Sequence, residues 1–367
     1  MFERTEILPV ILALGTATLF SFLLTPPVKR LAYKIGAVDV PKDERRMHKQ
    51  PIPRLGGLAI FLGCIIAILT FAQITVPLRG ILIGALLIVG VGIADDIHPL
   101  SAGIKLILQI VSALIAVGHG VLIPMIANPF PFGGEYWDFG IWAIPITVIW
   151  IVAVTNSVNL IDGLDGLADG VSTIGALTML ILSLLMGDVP MAIVCAALVG
   201  ACVGFIPYNM NPAKIFMGDT GSTFLGYMLA TISVLGLFKF YAVISFVVPF
   251  IILGFPIYDT TSAFTRRILK GQNPMTADRS HTHHKLIDMG MNQKQAVATL
   301  YLISGVLGLC AVMIVSTGYI KLILFAVALL ITAYTVARIA RYPHEKKNLA
   351  EHESHNESDT KSDKEDV

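Results

Sequence analysis

Aspartates recur in three short motifs of this sequence. Asp95 and Asp96 stand in "GIADDIHPL", Asp162 and Asp165 in "NLIDGLDGLADG", and Asp219 in "FMGDTGS". Oxygen ligands without nearby cysteine favour a hard divalent cation, and Mg²⁺ binds one or two carboxylates together with substrate phosphates and water. The residue types therefore predict a Mg²⁺ site, which Mn²⁺ could also occupy.

Taken singly, these aspartates have simpler explanations. Asp219 precedes an apolar stretch and could cap the helix that begins there. Spacings of three and four residues along an α-helix would place Asp162, Asp165 and Asp169 on one face, beside Asn159. Carboxylates that close repel one another, so helix caps and solvated loops do not account for the whole set.

A second group of residues supplies positive charge and imidazoles. Arg279, His281, His283 and His284 crowd one long polar segment, and Lys105 follows the first pair of aspartates. Arginine and lysine bind phosphate oxygens, and arginine does so with two parallel hydrogen bonds. Acids, a hard metal and phosphate-binding cations together predict phosphoryl transfer.

The elements that must position these residues are apolar. Of the 367 residues, 55% are hydrophobic and 14% charged, and the mean hydropathy is +0.76; a globular domain has roughly 25% charged residues. Apolar runs of about 17–25 residues are typical of transmembrane helices. We therefore predict an all-α, polytopic integral membrane protein whose active site is formed by cytoplasmic loops. The eleven predicted transmembrane helices span about 7–27, 55–73, 80–94, 103–126, 140–158, 167–187, 190–207, 221–238, 241–259, 296–316 and 320–340.

The basic residues predict which loops face the cytoplasm. Most of the 26 lysines and arginines fall in alternate loops and at the C-terminal end, whereas Arg4, Arg79, Lys239 and Lys321 fall on the other side. We therefore expect the N-terminus outside and the C-terminus in the cytoplasm. The start "MFERTE" lacks the net positive charge of a secretory signal, which indicates an uncleaved first helix. All the polar motifs then lie at the cytoplasmic surface, which favours chemistry between a soluble reactant and a lipid-borne one.

Two regions differ in composition. Residues 1–341 form the predicted membrane-embedded domain. Residues 342–367 are polar, mixed in charge and without apolar period, so we expect a disordered cytoplasmic tail. The four cysteines all fall within predicted helices and are expected to be small apolar core residues rather than disulfide partners.

Five motifs in order along the chain carry a family resemblance. They are "PRLGG", "DDIHPL", "NLIDGLDGLA", "FMGDTGS" and "DRSHTHHKL". Together they resemble the polyprenyl-phosphate N-acetylhexosamine-1-phosphate transferases, the superfamily that contains MraY and WecA/TagO. The resemblance implies a multi-pass enzyme of the bacterial cytoplasmic membrane that transfers a sugar 1-phosphate from a UDP-sugar to undecaprenyl phosphate and releases UMP. The product would start a cell-envelope polymer.

A few positions indicate the branch of this superfamily. Arg54 and Ile161 stand where the MraY branch typically has threonine, and the histidines read "HTHH" rather than three in succession. These features are similar to the WecA/TagO branch, whose usual donor is UDP-N-acetylglucosamine. The implied partners are this donor, undecaprenyl phosphate and the bilayer, with no nucleic acid and with a homodimer left open. An MraY-like donor, UDP-N-acetylmuramoyl-pentapeptide, remains an alternative. So does a secondary transporter of an anionic solute, for which His119 is the one candidate at mid-depth.

The resemblance also implies roles for individual residues. Asp219 resembles the Mg²⁺ ligand, and Asp95 and Asp96 resemble the acidic pair at the lipid-phosphate site, with Lys105 nearby. Asp162 is expected to organise the metal and the diphosphate. A direct attack by the lipid phosphate, with Asp95 as proton acceptor and positioner, is the preferred mechanism; a covalent aspartyl intermediate is the alternative. The residues expected to bind substrate are Asn159, Asp165, Asn209, Phe216, Arg279, His281, His283, His284, His48 and Arg54.

Overall fold

The computed structural model describes residues 4–41, 50–127, 136–237, 243–269, 271, 281–316 and 319–339. His48 and Arg279, both predicted to bind the donor, lie outside these residues, as does the predicted tail. The described helices are α1 (Arg4–Ile35), α2 (Gly57–Phe71), α3 (Val76–Ile97), α4 (Ala102–Gly118), α5 (Ala143–Leu160), α6 (Leu167–Leu185), α7 (Val189–Asn209), α8 (Gly218–Ile232), α9 (Val243–Ile252), α10 (Gly254–Leu269), α11 (Thr282–Asp288), α12 (Gln293–Val315) and α13 (Tyr319–Ile339), with a π-helical segment at Ser233–Leu237.

Each of the eleven predicted apolar segments coincides with helix, but four of them have wrong bounds. The first was predicted to end at 27, whereas α1 continues to Ile35. The segment at 80–94, short for a span, belongs to the 22-residue α3. The segment at 103–126 stops early, because α4 ends at Gly118. The segment at 241–259 divides into α9 and α10, and Pro256 lies just after the break, where it lacks the N–H that a continuous helix needs.

Within the described residues, seven helices are long and apolar enough to cross a membrane: α1, α3, α5, α6, α7, α12 and α13. Length and composition therefore support a polytopic membrane protein. The outward surface agrees, since large apolar side chains such as Leu23 and Leu330 are 56% and 69% exposed. Exposed leucine at this density is stable in lipid rather than in water.

Four short strands depart from the all-α prediction. β1 (Val38–Asp39) pairs antiparallel with β2 (Ile52–Pro53), and β3 (Met125–Ala127) pairs antiparallel with β4 (Tyr136–Asp138). Strands this short carry no apolar periodicity that a sequence pattern could show. The fold is therefore mostly helical, with two small hairpins between helices.

Helices α7 and α8 form the centre of the bundle. Every residue of α8 from 220 to 232 is buried. Helix α8 packs against α3 and α5, and α7 packs against α1 and α6. Helix α7 approaches α1 closely, because a Cβ added at Gly200 or Gly204 would collide with the carbonyl oxygens of Leu14 and Thr18. The small-residue spacing in α7 thus serves helix packing.

We expect Gly200→Ala to destabilise the protein by about 1–3 kcal/mol, because the methyl group would push α7 away from α1. The measurement is the thermal unfolding midpoint in detergent. Gly15→Ala is the matched control: Gly15 also lies in a helix, and nothing lies within 4 Å of its added Cβ. There alanine should be neutral or slightly stabilising. Equal midpoints for the two variants would contradict the close α1–α7 contact.

Candidate active site

A cavity of about 890 Å³ opens at one end of the bundle. The C-terminal ends of α1, α3, α5 and α7 meet the N-terminal ends of α6, α8 and α12 around it. The geometry therefore brings polar residues from distant parts of the chain to one wall. The predicted site residues that line the cavity are Arg54, Asp96, Asn159, Asp162, Asp165, Asn209, Phe216, Asp219 and His284.

Asp96 holds the N-terminal end of α8. Its side chain is 2% exposed and accepts hydrogen bonds from the backbone N–H of Asp219 and of Thr220, both at 3.0 Å. It also accepts a hydrogen bond from Oγ1 of Thr220 at 2.6 Å. A carboxylate at a helix N-terminus satisfies free N–H groups and is favoured by the helix dipole. Asp96 therefore positions the turn that carries Asp219.

Glycine at position 218 makes this contact feasible. Gly218 has φ +69°, and a side chain there would collide with the carboxylate of Asp96. The N-cap residue of α8 is Met217, which makes no side-chain capping bond. The alternative interpretation of Asp219 as an N-cap is therefore wrong: Asp219 lies in the first turn of α8 and lines the cavity.

Lys105 lies between two of the aspartates, Asp95 and Asp219, and forms a hydrogen bond with each. Its Nζ donates to Oδ2 of Asp219 at 2.8 Å and to Oδ2 of Asp95 at 3.4 Å. Asp95 is 7% exposed, and its Oδ1 accepts from the backbone N–H of Leu100 at 2.8 Å. Neither Asp95 nor Lys105 lines the cavity. Asp95 thus lies behind Asp219 and contacts Lys105 rather than the open space.

Asp162 and Asp165 lie in a turn, which corrects the prediction that they share one face of a helix with Asp169. Helix α5 ends at Leu160 and α6 begins at Leu167. Gly166, with φ +77°, interrupts the helical path. The predicted single helical face for the three aspartates therefore does not exist. Asp169 is fully buried in the first turn of α6 and is absent from the cavity wall.

Asp162 faces a strongly negative environment. Its side chain is partly exposed and lines the cavity. Partial burial of the side chain, followed by the negative charges of Asp219, Asp96 and Asp165, raises the pKa of Asp162 to about 8. A carboxyl group in this state is stabilised by a cation that approaches through the cavity.

Asp165 and Asn209 are held by the segment after α7. Asp165 Oδ2 accepts from Nδ2 of Asn211 at 2.9 Å and from the backbone N–H of Ala213 at 3.0 Å. Asn209 is 2% exposed; its Oδ1 accepts from the Gly166 N–H, and its Nδ2 donates to the Ile215 carbonyl. Asn209 therefore ties the α5–α6 turn to the loop before α8.

Arg54 and Phe216 stand side by side at the mouth of the cavity. They form an isolated parallel β-bridge, in which the Phe216 N–H donates to the carbonyl oxygen of Pro53 at 2.8 Å. Arg54 donates from Nε to the Asp96 carbonyl at 3.2 Å and from Nη2 to the Asp95 carbonyl at 3.3 Å. Arg54 thus neutralises the C-terminal end of α3 beside the acidic group.

Asp259 holds the segment that contains His281, His283 and His284, here called the histidine segment. The sequence analysis did not single out Asp259. Asp259 Oδ2 lies 2.8 Å from Nδ1 of His281, and its Oδ1 accepts from the N–H of Thr282 at 2.7 Å. The first histidine is therefore buried and fixed, whereas His284 reaches the cavity. Asp259 follows a proline-containing apolar stretch, and that local pattern resembles an ordinary helix end.

His283 packs against Gly163, where there is no room for a side chain. It is 2% exposed, and a Cβ added at Gly163 would meet its Nε2 at 2.5 Å. Burial, followed by the neighbouring His284, lowers the pKa of His283 to about 4. His283 is therefore neutral near pH 7 and links the histidine segment to the α5–α6 turn.

The low pKa of His283 predicts a stability that depends on pH. An unfolded histidine has a pKa of about 6.5 and binds a proton as the pH falls, whereas buried His283 does not until about pH 4. Stability should therefore fall from pH 7 to pH 5, by about 2 kcal/mol through this residue. The measurement is the unfolding midpoint against pH for the wild type and His283→Gln. Identical slopes in the two proteins would contradict the burial of a neutral imidazole.

The residues at the cavity fit a magnesium ion only with help from substrate. Among the described residues, no group of three or more His, Cys, Asp or Glu side chains is arranged to hold a metal. Asp219 and Asp162 nonetheless both line the cavity, and Asn159 adds an amide oxygen beside them. Mg²⁺ typically takes one or two carboxylates and completes its shell with phosphate oxygens and water. These oxygen ligands therefore suit a Mg²⁺ ion that is bound together with a diphosphate.

Comparison with known proteins identifies the family. Residues 78–237 match the model of glycosyl transferase family 4. A probable undecaprenyl-phosphate N-acetylglucosaminyl 1-phosphate transferase from Bacillus subtilis is 42% identical over 323 residues, which cover 88% of this chain and 89% of the relative. The chain belongs to glycosyl transferase family 4. The family predicted from the five motifs is confirmed.

Two further relatives of this family 4 chain have different names. A decaprenyl-phosphate N-acetylglucosaminephosphotransferase from Mycobacterium tuberculosis is 34% identical over 319 residues, 79% of each chain. A phospho-N-acetylmuramoyl-pentapeptide-transferase from Desulforudis audaxviator is 32% identical over 335 residues, 82% of this chain and 98% of the relative. Similarity therefore extends to proteins with both kinds of name, and the two N-acetylglucosamine proteins described here are more similar to this chain than the muramoyl-pentapeptide transferase is.

Proposed function

We propose that this family 4 protein transfers N-acetylglucosamine 1-phosphate from UDP-N-acetylglucosamine to undecaprenyl phosphate, giving undecaprenyl-diphospho-N-acetylglucosamine and UMP. The names of the more similar relatives support the sugar and the polyprenyl acceptor. The observation that carries the proposal is that Asp219 and Asp162 both line the same cavity, which is large enough for a nucleotide sugar.

The reaction needs charge neutralisation more than a strong base. A phosphate monoester has a second pKa of about 6, so the lipid phosphate is mostly dianionic at neutral pH. Its oxygen attacks the sugar-bearing phosphorus of the donor, and UMP leaves. Magnesium, when bound at Asp219 and Asp162, supplies positive charge to the phosphates. Lys105, held against Asp219, supplies further positive charge nearby.

The other residues of the site bind and orient the substrates. Asp95 acts through Lys105, because its carboxylate contacts that ammonium and not the cavity. Phe216 offers an aromatic face for the uracil, and Arg54 closes the same side. His284 reaches the cavity from the opposite segment and faces the diphosphate or the sugar. Arg279 and His48 belong to this proposal by resemblance alone.

The membrane arrangement is also part of the proposal. Eleven spans, with the N-terminus outside and the C-terminus in the cytoplasm, would place the cavity at the inner surface of a bacterial cytoplasmic membrane. The clustering of lysine and arginine supports this orientation. The acceptor then reaches the acids from the bilayer and the donor reaches them from the cytoplasm.

The test is UMP release by purified protein with undecaprenyl phosphate and Mg²⁺. We expect release with UDP-N-acetylglucosamine, loss of release in EDTA and recovery when Mg²⁺ is added. Mn²⁺ is expected to restore part of the activity. Release with UDP-N-acetylmuramoyl-pentapeptide alone would move the protein to the other branch. A phospho-enzyme formed from donor without acceptor would replace direct attack by two displacements.

The transporter alternative has little support in the structure. Its one candidate at mid-depth, His119, ends α4, and its Nδ1 lies 2.8 Å from the carbonyl oxygen of Ile115. That contact is the one expected of a packing residue. Membership of a transferase family favours catalysis over transport.

A further inference from the structure

A hydrogen-bonded chain of three side chains crosses the cavity wall from α12 to the α5–α6 turn. Gln293 is the first residue of α12, Asn211 lies in the loop after α7, and Asp165 lies in the turn before α6. Asn211 Nδ2 donates to Oδ2 of Asp165 at 2.9 Å and to Oε1 of Gln293 at 2.7 Å. All three residues line the cavity.

This arrangement leaves Asn211 one orientation. Its amide nitrogen has two hydrogens, and both are directed at acceptors. Rotation of the amide by 180° would place its oxygen against two other oxygens, which is unfavourable. Gln293, anchored by the capped start of α12, therefore locks Asn211, and Asn211 in turn fixes one oxygen of Asp165.

The consequence concerns the second oxygen of Asp165. Oδ2 already accepts two hydrogen bonds, from Asn211 and from the backbone N–H of Ala213. Oδ1 accepts none from the part of the chain that the structure describes, and the side chain is partly exposed to the cavity. An ionised carboxylate oxygen is an acceptor only, so Oδ1 suits an N–H or O–H group of a bound ligand.

We propose that Asn211, locked by Gln293, is a positioning residue that holds Asp165 with Oδ1 directed at the donor nucleotide. The proposal rests on the proposed function for the identity of the donor. It assigns roles to two residues that act through Asp165 and leave the chemistry at Asp219 untouched. Binding of UDP-N-acetylglucosamine should therefore depend on them, whereas binding of the lipid acceptor should not.

The first experiment measures both substrates for Asn211→Ala and Gln293→Ala. Loss of a hydrogen bond to a charged group should raise the KM for UDP-N-acetylglucosamine about 10-fold in Asn211→Ala, and less in Gln293→Ala. The kcat and the KM for undecaprenyl phosphate should stay within about 3-fold of the wild type. Lys294→Ala, an exposed neighbour of Gln293, is the matched control and should behave as the wild type.

A double-mutant cycle separates positioning from a structural role. In an Asp165→Ala background, Asn211→Ala should have no further effect on the KM for the donor, because its target is gone. Additive losses, or equal losses for both substrates with a lower unfolding midpoint, would show that Asn211 supports the loop and would overturn the proposal. An unchanged donor KM in Asn211→Ala would overturn it as well.

Calorimetric binding of UMP distinguishes this proposal from the proposed function. If the wild type binds UMP but transfers no sugar phosphate, the proposed function fails, and the same variants still test the positioning role through the UMP dissociation constant. Weaker UMP binding in Asn211→Ala, absent in the Asp165→Ala background, supports the proposal. If the wild type transfers the sugar phosphate but UMP binding is unchanged in Asn211→Ala, the positioning role fails and the proposed function stands.

Discussion

Asp219→Asn is expected to lower kcat for UMP release by about 10²- to 10³-fold while the protein stays folded. Asparagine has nearly the same shape, and its side-chain oxygen can still accept from Lys105 Nζ, which lies 2.8 Å from Oδ2 in the native residue. The negative charge of this carboxylate is lost, and with it the side chain that we propose as the main metal ligand. The measurement is the initial rate with both substrates saturating.

The control for this prediction is Asp188, at the N-terminal end of α7. Asp188 caps that helix through the N–H of Met191, far from the cavity, and asparagine is an equally good cap. Asp188→Asn should therefore keep wild-type activity. We further expect a higher Mg²⁺ concentration to restore part of the rate in Asp219→Asn. A variant with rates within about 3-fold of the wild type would remove Asp219 from the site.

Asp96→Ala is expected to reduce both stability and activity. The substitution leaves two backbone N–H groups and the Thr220 hydroxyl without their acceptor in a buried place, at a cost of about 3 kcal/mol or more. The first turn of α8 then loses its anchor, and Asp219 moves with it. We expect a lower unfolding midpoint together with a fall in kcat of about 10²-fold.

Thr220→Val is the graded comparison for this prediction. It removes only the hydroxyl bond and keeps the two bonds from backbone N–H to Asp96. Its midpoint and its rate should lie between those of the wild type and Asp96→Ala. If Asp96→Ala lost activity with no change in the midpoint, Asp96 would act on substrate directly rather than through α8.

Local patterns predicted the helices well, because the length of an apolar run is a property of the run itself. The eleven segments all coincide with helix. The four cysteines are free; Cys64, Cys195 and Cys202 are buried as expected, whereas Cys310 is only partly buried. The errors came where a single residue overrides the run. Pro256 lies at the break that divides one predicted span. Gly166, with its positive φ, ends the helical path where one helical face was predicted.

In the candidate site, too, the sequence patterns predicted some residues and missed others. The motifs identified Asp219, Asp162 and Lys105, because acids and cations beside apolar helices are conspicuous. They did not show that Asp96 would bind the start of a helix 123 residues further on. They also missed Asp259 and Asn211, whose residue types are ordinary at a helix end and in a loop, and which acquire partners only through packing.

By itself, the sequence indicated that this chain spans a membrane and that it belongs to a transferase family, whereas the common membrane side of its charged motifs stays a prediction. These properties follow from composition, spacing and order, which need no neighbours. Only the tertiary structure decided which acid faces the cavity and which supports another element. That choice depends on the meeting of α3, α4 and α8, where Lys105 and Asp219 lie 114 residues apart in sequence and 2.8 Å apart in space. Hydrogen bonds between such distant residues form only when the helices that carry them are already packed.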